Sequence, residues 1–137
     1  AAPEAVASAL ARFGGVARRF EHRGQVAGIV LVDDYAHLPT EVGAVLSTAR
    51  SGGFNRVVAV FQPHRFSRTE ALWSSFGCSF DEADVLCVTD VYPSGEAPRP
   101  GVSGRLVADA VLRDRPGADV RYVARREDLL DARYLFQ

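Results

Sequence analysis

The amino-acid sequence predicts a Rossmann-like, three-layer α/β domain with a mostly parallel sheet and helices on both faces. The first observation is that short apolar runs alternate with segments whose apolar residues recur at helical spacing. The second is that each apolar run is followed by a polar loop, as expected where a strand leads through a loop to a crossover helix. The third is the length, because 137 residues of which 47% are hydrophobic suffice for one sizeable core.

The first part of the chain predicts a lead-in, two strands and a helix. The first dozen residues are rich in alanine and are typical of a helix. Residues 16–33 predict two strands around a turn at 23–25, and the second strand, 26–32, is apolar enough to be buried on both faces. Pro39 then begins a helix that ends at Gly52.

The strand-helix pattern repeats through the rest of the chain. Ser67 and Glu70 have capping-box spacing and predict the start of the second helix, whose Trp73, Phe76 and Phe80 are expected in the core. The other predicted elements are strands at 56–61, 85–90 and 120–123, a helix at 106–111 and a last helix at 127–135.

The composition excludes several classes of function. Sixteen arginines and no lysine against seventeen acidic residues leave a net charge of -1, which argues against a nucleic-acid or membrane-surface role. Without lysine the chain holds no Walker A phosphate loop, and no GxGxxG follows its first strand. No apolar run is long enough to cross a bilayer, so a cytoplasmic protein is expected. Cys78 and Cys87 lack metal-ligand spacing and predict two reduced core thiols.

The polar loops after the strands are the expected place for chemistry, since ligands of such sheets bind beyond the carboxyl ends of the strands. The first loop carries Asp33, Asp34, Tyr35 and His37, two carboxylates, a phenol and an imidazole close together. One of the two aspartates is equally well explained as a cap of the following helix. His37 is explained either as a site residue or as a loop histidine with a local partner.

Two further loops carry charged residues. Arg65 and Arg68, beside His64, place two guanidinium groups across a helix start, which suits a carboxylate or a phosphate. The alternative is a solvated basic face. Asp90 and Glu96 follow the next strand and suit a metal or an amine, although acidic residues in such loops often serve solubility alone.

Four segments of the chain form a recognisable series, namely FGGVARRFE at 13–21, VDDYAHLPTE at 32–41, VFQPHRFSRT at 60–69 and DVYPSGE at 90–96. Taken together and in this order, they resemble the C-terminal domain of the Mur ligase family. Within that family the PHRFSRT segment resembles the branch that joins L-alanine to UDP-N-acetylmuramate.

The resemblance implies that residues 1–137 form a single amino-acid-binding domain, a fragment of a three-domain enzyme. In such an enzyme the first domain holds the UDP-sugar and the central domain holds ATP and magnesium. ATP phosphorylates the lactyl carboxylate of UDP-N-acetylmuramate, and the amine of L-alanine attacks the acyl phosphate to form an amide. The isolated domain is then expected to be inactive, without a catalytic residue or metal ligand of its own, and to bind no cofactor unaided. The absence of methionine agrees with a fragment.

The resemblance also assigns residues to ligands. It implies that Tyr35, His37, Arg65 and Arg68 line the L-alanine side, with an arginine on the alanine carboxylate. It places Asp34 towards the ATP ribose. The supporting positions are His64, Asp90 and Glu96.

The sequence departs from the family pattern at two places. Leu38 stands where the family has a second histidine, and the chain ends at Gln137 where the family continues into another strand. A missing last strand would leave a sheet edge unpaired, and such an edge favours association. These departures keep a second hypothesis open, a stand-alone binding or regulatory module that has lost catalysis.

Overall fold

A computed structural model describes residues 2–130, without the side chain of Leu130. The chain divides into two compact units, Ala1–Ala36 and His37–Gln137. The predicted last helix, 127–135, starts within a short 3-10 helix at Arg126–Leu130, and the rest of it lies outside the described residues.

The first unit contains helix α1 (Pro3–Ala11) and a hairpin of strands β1 (Glu21–Val26) and β2 (Ile29–Asp33). The turn predicted at 23–25 is wrong, because those residues lie inside β1 beside an irregularity in the register. The strands reverse at Ala27 and Gly28, which have φ of +49° and +80°. Positive φ at both positions gives a two-residue hairpin turn whose twist matches that of the strands.

The apolar run at 26–32 differs from its prediction in burial. It is divided between β1 and β2, and Val26 and Leu31 are 61% and 50% exposed. Its only strand pairing in the described part of the chain is the antiparallel hairpin. The apolar composition was therefore a misleading sign of burial on both faces, because a paired hairpin satisfies its backbone without a second layer on each side.

The second unit contains a parallel three-stranded sheet with helices between its strands. Its helices are α2 (Pro39–Ser51), α3 (Phe66–Leu72) and α4 (Arg105–Asp114), and its strands are β3 (Val58–Phe61), β4 (Val85–Thr89) and β5 (Asp119–Val123). The strand order is β3-β4-β5, and both neighbouring pairs are parallel. The predicted α/β class with a mostly parallel sheet is confirmed.

The central strand and α4 form the core of this unit. All five residues of β4 are buried, as expected for a parallel strand between two neighbours. Phe61, Phe76 and Phe80 pack with ring centroids 5.2 to 6.2 Å apart. Cys87 is a buried core thiol as predicted, whereas Cys78 is exposed, because the helix has ended before it and the chain there turns at the surface.

The start of α3 also differs from its prediction. Arg65 is the N-cap residue and the helix begins at Phe66, so Ser67 lies inside the first turn. Ser67 and Glu70 form no capping box, since their side chains bond elsewhere. After Leu72 the chain tightens into a 3-10 helix at Trp73–Phe76.

Across residues 2–130, every helix is too short or too polar to span a bilayer.

Candidate functional site at the carboxyl ends of β3 and β4

The loops that follow β3 and β4 lie side by side. Tyr92 donates its backbone N–H to the Pro63 carbonyl, and the Arg65 N–H donates to the Tyr92 carbonyl, each over 2.8 Å. His64 and Tyr92 thus form a parallel bridge that continues the pairing of the two strands. The structure therefore brings together residues 62–68 and 90–96, as the position of both loops after parallel strands predicts.

Arg65 has a backbone conformation that is unusual for a residue with a side chain. Its φ is +73° and its ψ is 136°, a region that side chains disfavour. Three hydrogen bonds hold it there: its N–H donates to Tyr92, and its carbonyl accepts from both the N–H and the hydroxyl of Thr69, at 3.0 and 2.8 Å. Thr69 is 2% exposed, so this anchor is buried. Backbone strain held in place by such bonds is typical of functional positions.

Arg68 is oriented by His64. Its Nη1 lies 3.2 Å from His64 Nδ1 and donates to the His64 carbonyl over 3.4 Å. Because a guanidinium only donates, His64 Nδ1 accepts and the ring proton lies on Nε2. Burial, and next the charges of Arg68 and Arg65, lower the pKa of His64, which keeps the ring neutral and able to accept.

His64 also joins two other aromatic rings. The Tyr92 ring stacks on it at 5.5 Å and 25°, and the ring of His37 lies at 6.0 Å. Sequence reasoning did not select Tyr92, although its place three residues after β4 matches that of His64 three residues after β3. The predicted strand at 85–90 ends one residue later than β4, so the match appears only with the observed strand bounds.

His37 begins the second unit, just ahead of α2, and is held by Glu41. The Glu41 carboxylate accepts the backbone N–H groups of His37 and Leu38 at 3.0 and 3.2 Å, and lies 3.7 Å from His37 Nδ1. Glu41 is a second residue that sequence reasoning missed. Its position two residues after the proline that begins the helix, and so three after the N-cap residue Leu38, was the available signal.

Glu96 reaches α3 from the loop after β4. Its carboxylate accepts from the Ser67 N–H over 2.9 Å and from the Ser67 hydroxyl over 2.5 Å. These bonds, more than the neighbouring guanidinium charges of Arg99 and Arg65, lower the pKa of Glu96. Glu96 is thus ionised beside the arginine pair.

The Asp90 carboxylate is occupied by hydrogen bonds to the backbone. One oxygen of its carboxylate accepts the N–H groups of Val91 and Gly104, each over 2.9 Å, and so ties the end of β4 to the start of α4. Tyr122 lies close enough for its pKa to be raised, mainly by burial and then by the Asp90 charge. The geometry favours a role for Asp90 in holding the loop.

Asp34 and Tyr35 belong to the first unit and have the following contacts within it. The Asp34 carboxylate accepts from the N–H groups of Phe20 and Ala36, each over 2.7 Å, which fixes the chain after β2. The Arg18 guanidinium lies 4.8 Å from the centroid of the Tyr35 ring and 3.5 Å from the Asp33 carboxylate.

The second unit thus carries a cationic edge with defined geometry. Arg65 and Arg68 place two guanidinium groups at the start of α3, and the neutral imidazole of His64 orients that of Arg68. No group of three or more histidine, cysteine or acidic side chains within residues 2–130 is arranged to hold a metal ion. This edge is suited to binding a small anion such as a carboxylate.

Sequence comparisons connect this arrangement to known proteins. The chain is 49% identical to a UDP-N-acetylmuramate–L-alanine ligase of Rubrobacter xylanophilus over 129 residues, which are 93% of this chain and 29% of that protein. It is 52% identical to the protein of the same name from Geobacter sulfurreducens, over 87% of this chain and 26% of that protein. The chain therefore spans less than a third of the length of these relatives.

Solved structures and a family model agree with these matches. The UDP-N-acetylmuramate-alanine ligase MurC of Thermotoga maritima matches 90% of this chain and 25% of its own, with a TM-score of 0.71 and 30% identity. A murein peptide ligase of Psychrobacter arcticus shares the fold, with a TM-score of 0.68 and 23% identity. The family model described as "Mur ligase, glutamate ligase domain" matches residues 18–136. The chain belongs to the Mur ligase family.

Proposed function

We propose that this chain is the single C-terminal, amino-acid-binding domain of an ATP-dependent ligase that joins L-alanine to UDP-N-acetylmuramate in peptidoglycan precursor synthesis. The proposal includes a cytoplasmic location, the compartment in which UDP-sugars and ATP are available. Two relatives at about half identity carry the name of that ligase and are more than three times as long as their matched segments. The rest of the proposed enzyme accordingly lies outside this chain.

The single observation that carries the proposal is the arginine pair at the start of α3. Arg65 is anchored through its backbone and the Arg68 guanidinium is held by His64, so the segment that carries both side chains is fixed before any ligand arrives. An amino acid that must attack an acyl group needs its carboxylate fixed, and arginine binds carboxylates with two parallel hydrogen bonds. A prearranged pair reduces the entropy that is lost on binding.

The residue roles follow from this arrangement. Arg65 and Arg68 receive the carboxylate of L-alanine, and His37 and Tyr35 complete the L-alanine side. His64 supports Arg68 by accepting from it. Glu96 and Asp90 support the loops, and Asp34 contacts the ATP ribose. Each oxygen of Asp34 has one backbone donor, which leaves a lone pair on each oxygen for a ribose hydroxyl.

The reaction is the transfer of an acyl group. The γ-phosphoryl group of ATP passes to the lactyl carboxylate, the amine nitrogen of L-alanine forms a bond to that carbonyl carbon, and inorganic phosphate leaves as the amide forms. This chain lacks lysine and therefore a Walker A loop, so the ATP phosphates and magnesium are assigned to the central domain. The present chain contributes the orientation of the nucleophile, a term that is worth several kcal/mol in well-aligned reactions.

The test is an ATP-hydrolysis assay on the full-length protein that contains this chain. UDP-N-acetylmuramate is supplied, L-alanine, glycine and L-serine are offered in turn, and the product is identified by its mass. Amide formation with L-alanine preferred is the expected result. Absence of turnover by a folded protein would contradict the ligase and support the non-catalytic module, for which Leu38 in place of the family's histidine is the motivating residue.

A further inference from the structure

The loop after β4 is hydrogen-bonded to the start of α3 at two positions. The backbone of Arg65 is bonded to Tyr92, and both the N–H and the hydroxyl of Ser67 are bonded to Glu96. Residues 65 and 67 both lie between His64 and Arg68, within the segment that carries the arginine pair. The attachment therefore fixes the segment from which both guanidinium groups project.

The partner of Ser67 comes from another part of the fold. A helix usually takes such a carboxylate from its own first turn, and in α3 the residue at that distance is Glu70. Glu70 is instead paired with Arg99. The carboxylate that accepts from Ser67 belongs to Glu96, 29 residues away, so the start of α3 depends on the loop of the neighbouring strand.

We propose that Glu96 and Ser67 act as a positioning pair, which holds the start of α3 so that Arg65 and Arg68 present their guanidinium groups to the carboxylate of the amino-acid substrate. The inference rests on the proposed function and names residues that would act through the arginines without touching the substrate.

Glu96 affects binding of the substrate carboxylate more through its hydrogen bonds to Ser67 than through its negative charge. An acidic group beside two arginines also weakens their attraction for an anion, so removal of the charge alone would tighten binding. The hydrogen bonds from Ser67 at 2.5 and 2.9 Å lower the pKa of Glu96 more than the charge of Arg65 does. Solvent reaches this loop, and water screens charges more than it weakens two directed hydrogen bonds. Loss of the bonds is therefore the larger effect.

The experiment compares variants in the full-length ligase. Glu96→Ala removes both acceptors, Ser67→Ala removes one donor, and Glu96→Gln removes the charge but keeps an acceptor. Glu70→Gln is the matched control, because Glu70 lies on the same helix and is paired with the same loop through Arg99, at an exposed site where ion pairs contribute little. The measured quantities are KM for L-alanine, KM for ATP, kcat and the thermal midpoint.

We expect Glu96→Ala to raise KM for L-alanine by about tenfold, as for loss of hydrogen bonds to a charged group, with little change in KM for ATP. Glu96→Gln is expected to show a smaller rise, and Ser67→Thr to keep the wild-type KM. The double variant with Ser67→Ala and Glu96→Ala should have about the same KM for L-alanine as the more impaired of the two single variants, because the two residues act together.

Three outcomes would overturn the inference. One is an unchanged KM for L-alanine in Glu96→Ala and Ser67→Ala while the wild type turns over normally. Another is a fall in KM for Glu96→Gln, which would mean that the charge dominates. The third is an equal effect of Glu70→Gln, which would reduce the pair to general loop stability. A wild-type protein without amino-acid-dependent turnover would instead contradict the proposed function, and the positioning role with it.

Discussion

Single residues at the candidate site combine a charge with a restraint on the backbone or on the side chain. The side chain of Arg68 is an example, since His64 accepts from it and so limits the directions in which the guanidinium points. We expect Arg68→Ala, like Arg65→Ala, to raise KM for L-alanine by roughly ten- to a hundredfold in the full-length ligase and to leave the fold intact. Steady-state kinetics with L-alanine and ATP varied in turn would measure this.

Arg99→Ala is the control for that prediction. Arg99 is an exposed arginine on the loop after β4 and is paired with Glu70 on α3. Its loss is expected to change KM for L-alanine by less than about fivefold, since exposed ion pairs contribute about 0–1 kcal/mol. Equal effects of all three arginine variants would point to general electrostatics in place of a carboxylate site.

The strained backbone of Arg65 leads to a second prediction at this scale. Its φ of +73° is accessible to glycine without strain. Arg65→Gly removes backbone strain of about 1–3 kcal/mol. Glycine also gives the unfolded chain more conformational freedom, which costs about 0.5–1 kcal/mol on folding, so this variant should be at least as stable as the wild type. Arg65→Ala keeps the strain and should unfold at a lower temperature than Arg65→Gly. Thermal unfolding of the two variants measures the difference, and the reverse order would remove strain from the explanation.

Among the elements, β4 and α4 meet at a closely packed junction. A Cβ at Gly104 would collide with the Thr89 carbonyl, which belongs to the last residue of a fully buried strand. Gly104 also donates its N–H to Asp90. Backbone cannot move there without disturbing the core, so we expect Gly104→Ala to cost about 1–3 kcal/mol of unfolding free energy.

Gly117→Ala is the matched control for the junction. Among residues 2–130, no atom other than those of its chain neighbours lies within 4 Å of a Cβ at Gly117, in the connection between α4 and β5. Its effect should stay within about 1 kcal/mol and could be stabilising, because alanine restricts the unfolded chain. Urea unfolding of the two variants would make the comparison. Similar losses at both glycines would contradict close packing at the junction.

At the level of the second unit as a whole, acid sensitivity follows from Asp84. Its carboxylate accepts from the Val57 N–H over 2.6 Å and pairs with Arg50 at 2.9 Å, which joins α2, the approach to β3 and the approach to β4. The bond from Val57, followed by that from Arg50, lowers the pKa of Asp84 below its ordinary value. The stabilisation is therefore present above the pKa of the unfolded chain and is lost as the pH falls through the lower folded value.

We expect the unfolding free energy of the wild type to fall more between about pH 5 and pH 3 than that of Asp84→Asn. Asp109→Asn is the control, because Asp109 is exposed on α4 and its carboxylate forms no hydrogen bond or ion pair with the other described residues. Urea unfolding at several pH values would give the slopes. If the unfolding free energy of Asp84→Asn fell with pH as steeply as that of the wild type, the loss of stability in acid would have to come from other carboxylates.

The local pattern of the chain was enough to identify the α/β class, most of the elements from Pro39 onwards and the two loops that carry Arg65, Arg68, His64 and Glu96. These depend on neighbours in sequence, namely periodicity, a proline at a helix start and polar residues after apolar runs. The hairpin turn at Ala27 and Gly28 was missed because Gly24 offered an equally good local signal, and only the pairing of the strands distinguishes the two glycines.

Contacts between distant residues required the folded chain. The strand order places the loops after β3 and β4 next to each other, and this proximity creates the bonds of Arg65 with Tyr92 and of Ser67 with Glu96. Sequence spacing made Glu70 the natural partner of Ser67, yet the carboxylate came from 29 residues away. A hydrogen bond depends on distance and angle in space, and spacing along the chain constrains those only within a helical turn or a hairpin. The residue types of the site were therefore readable from the sequence, and their partnership was decided by the packing of two parallel strands.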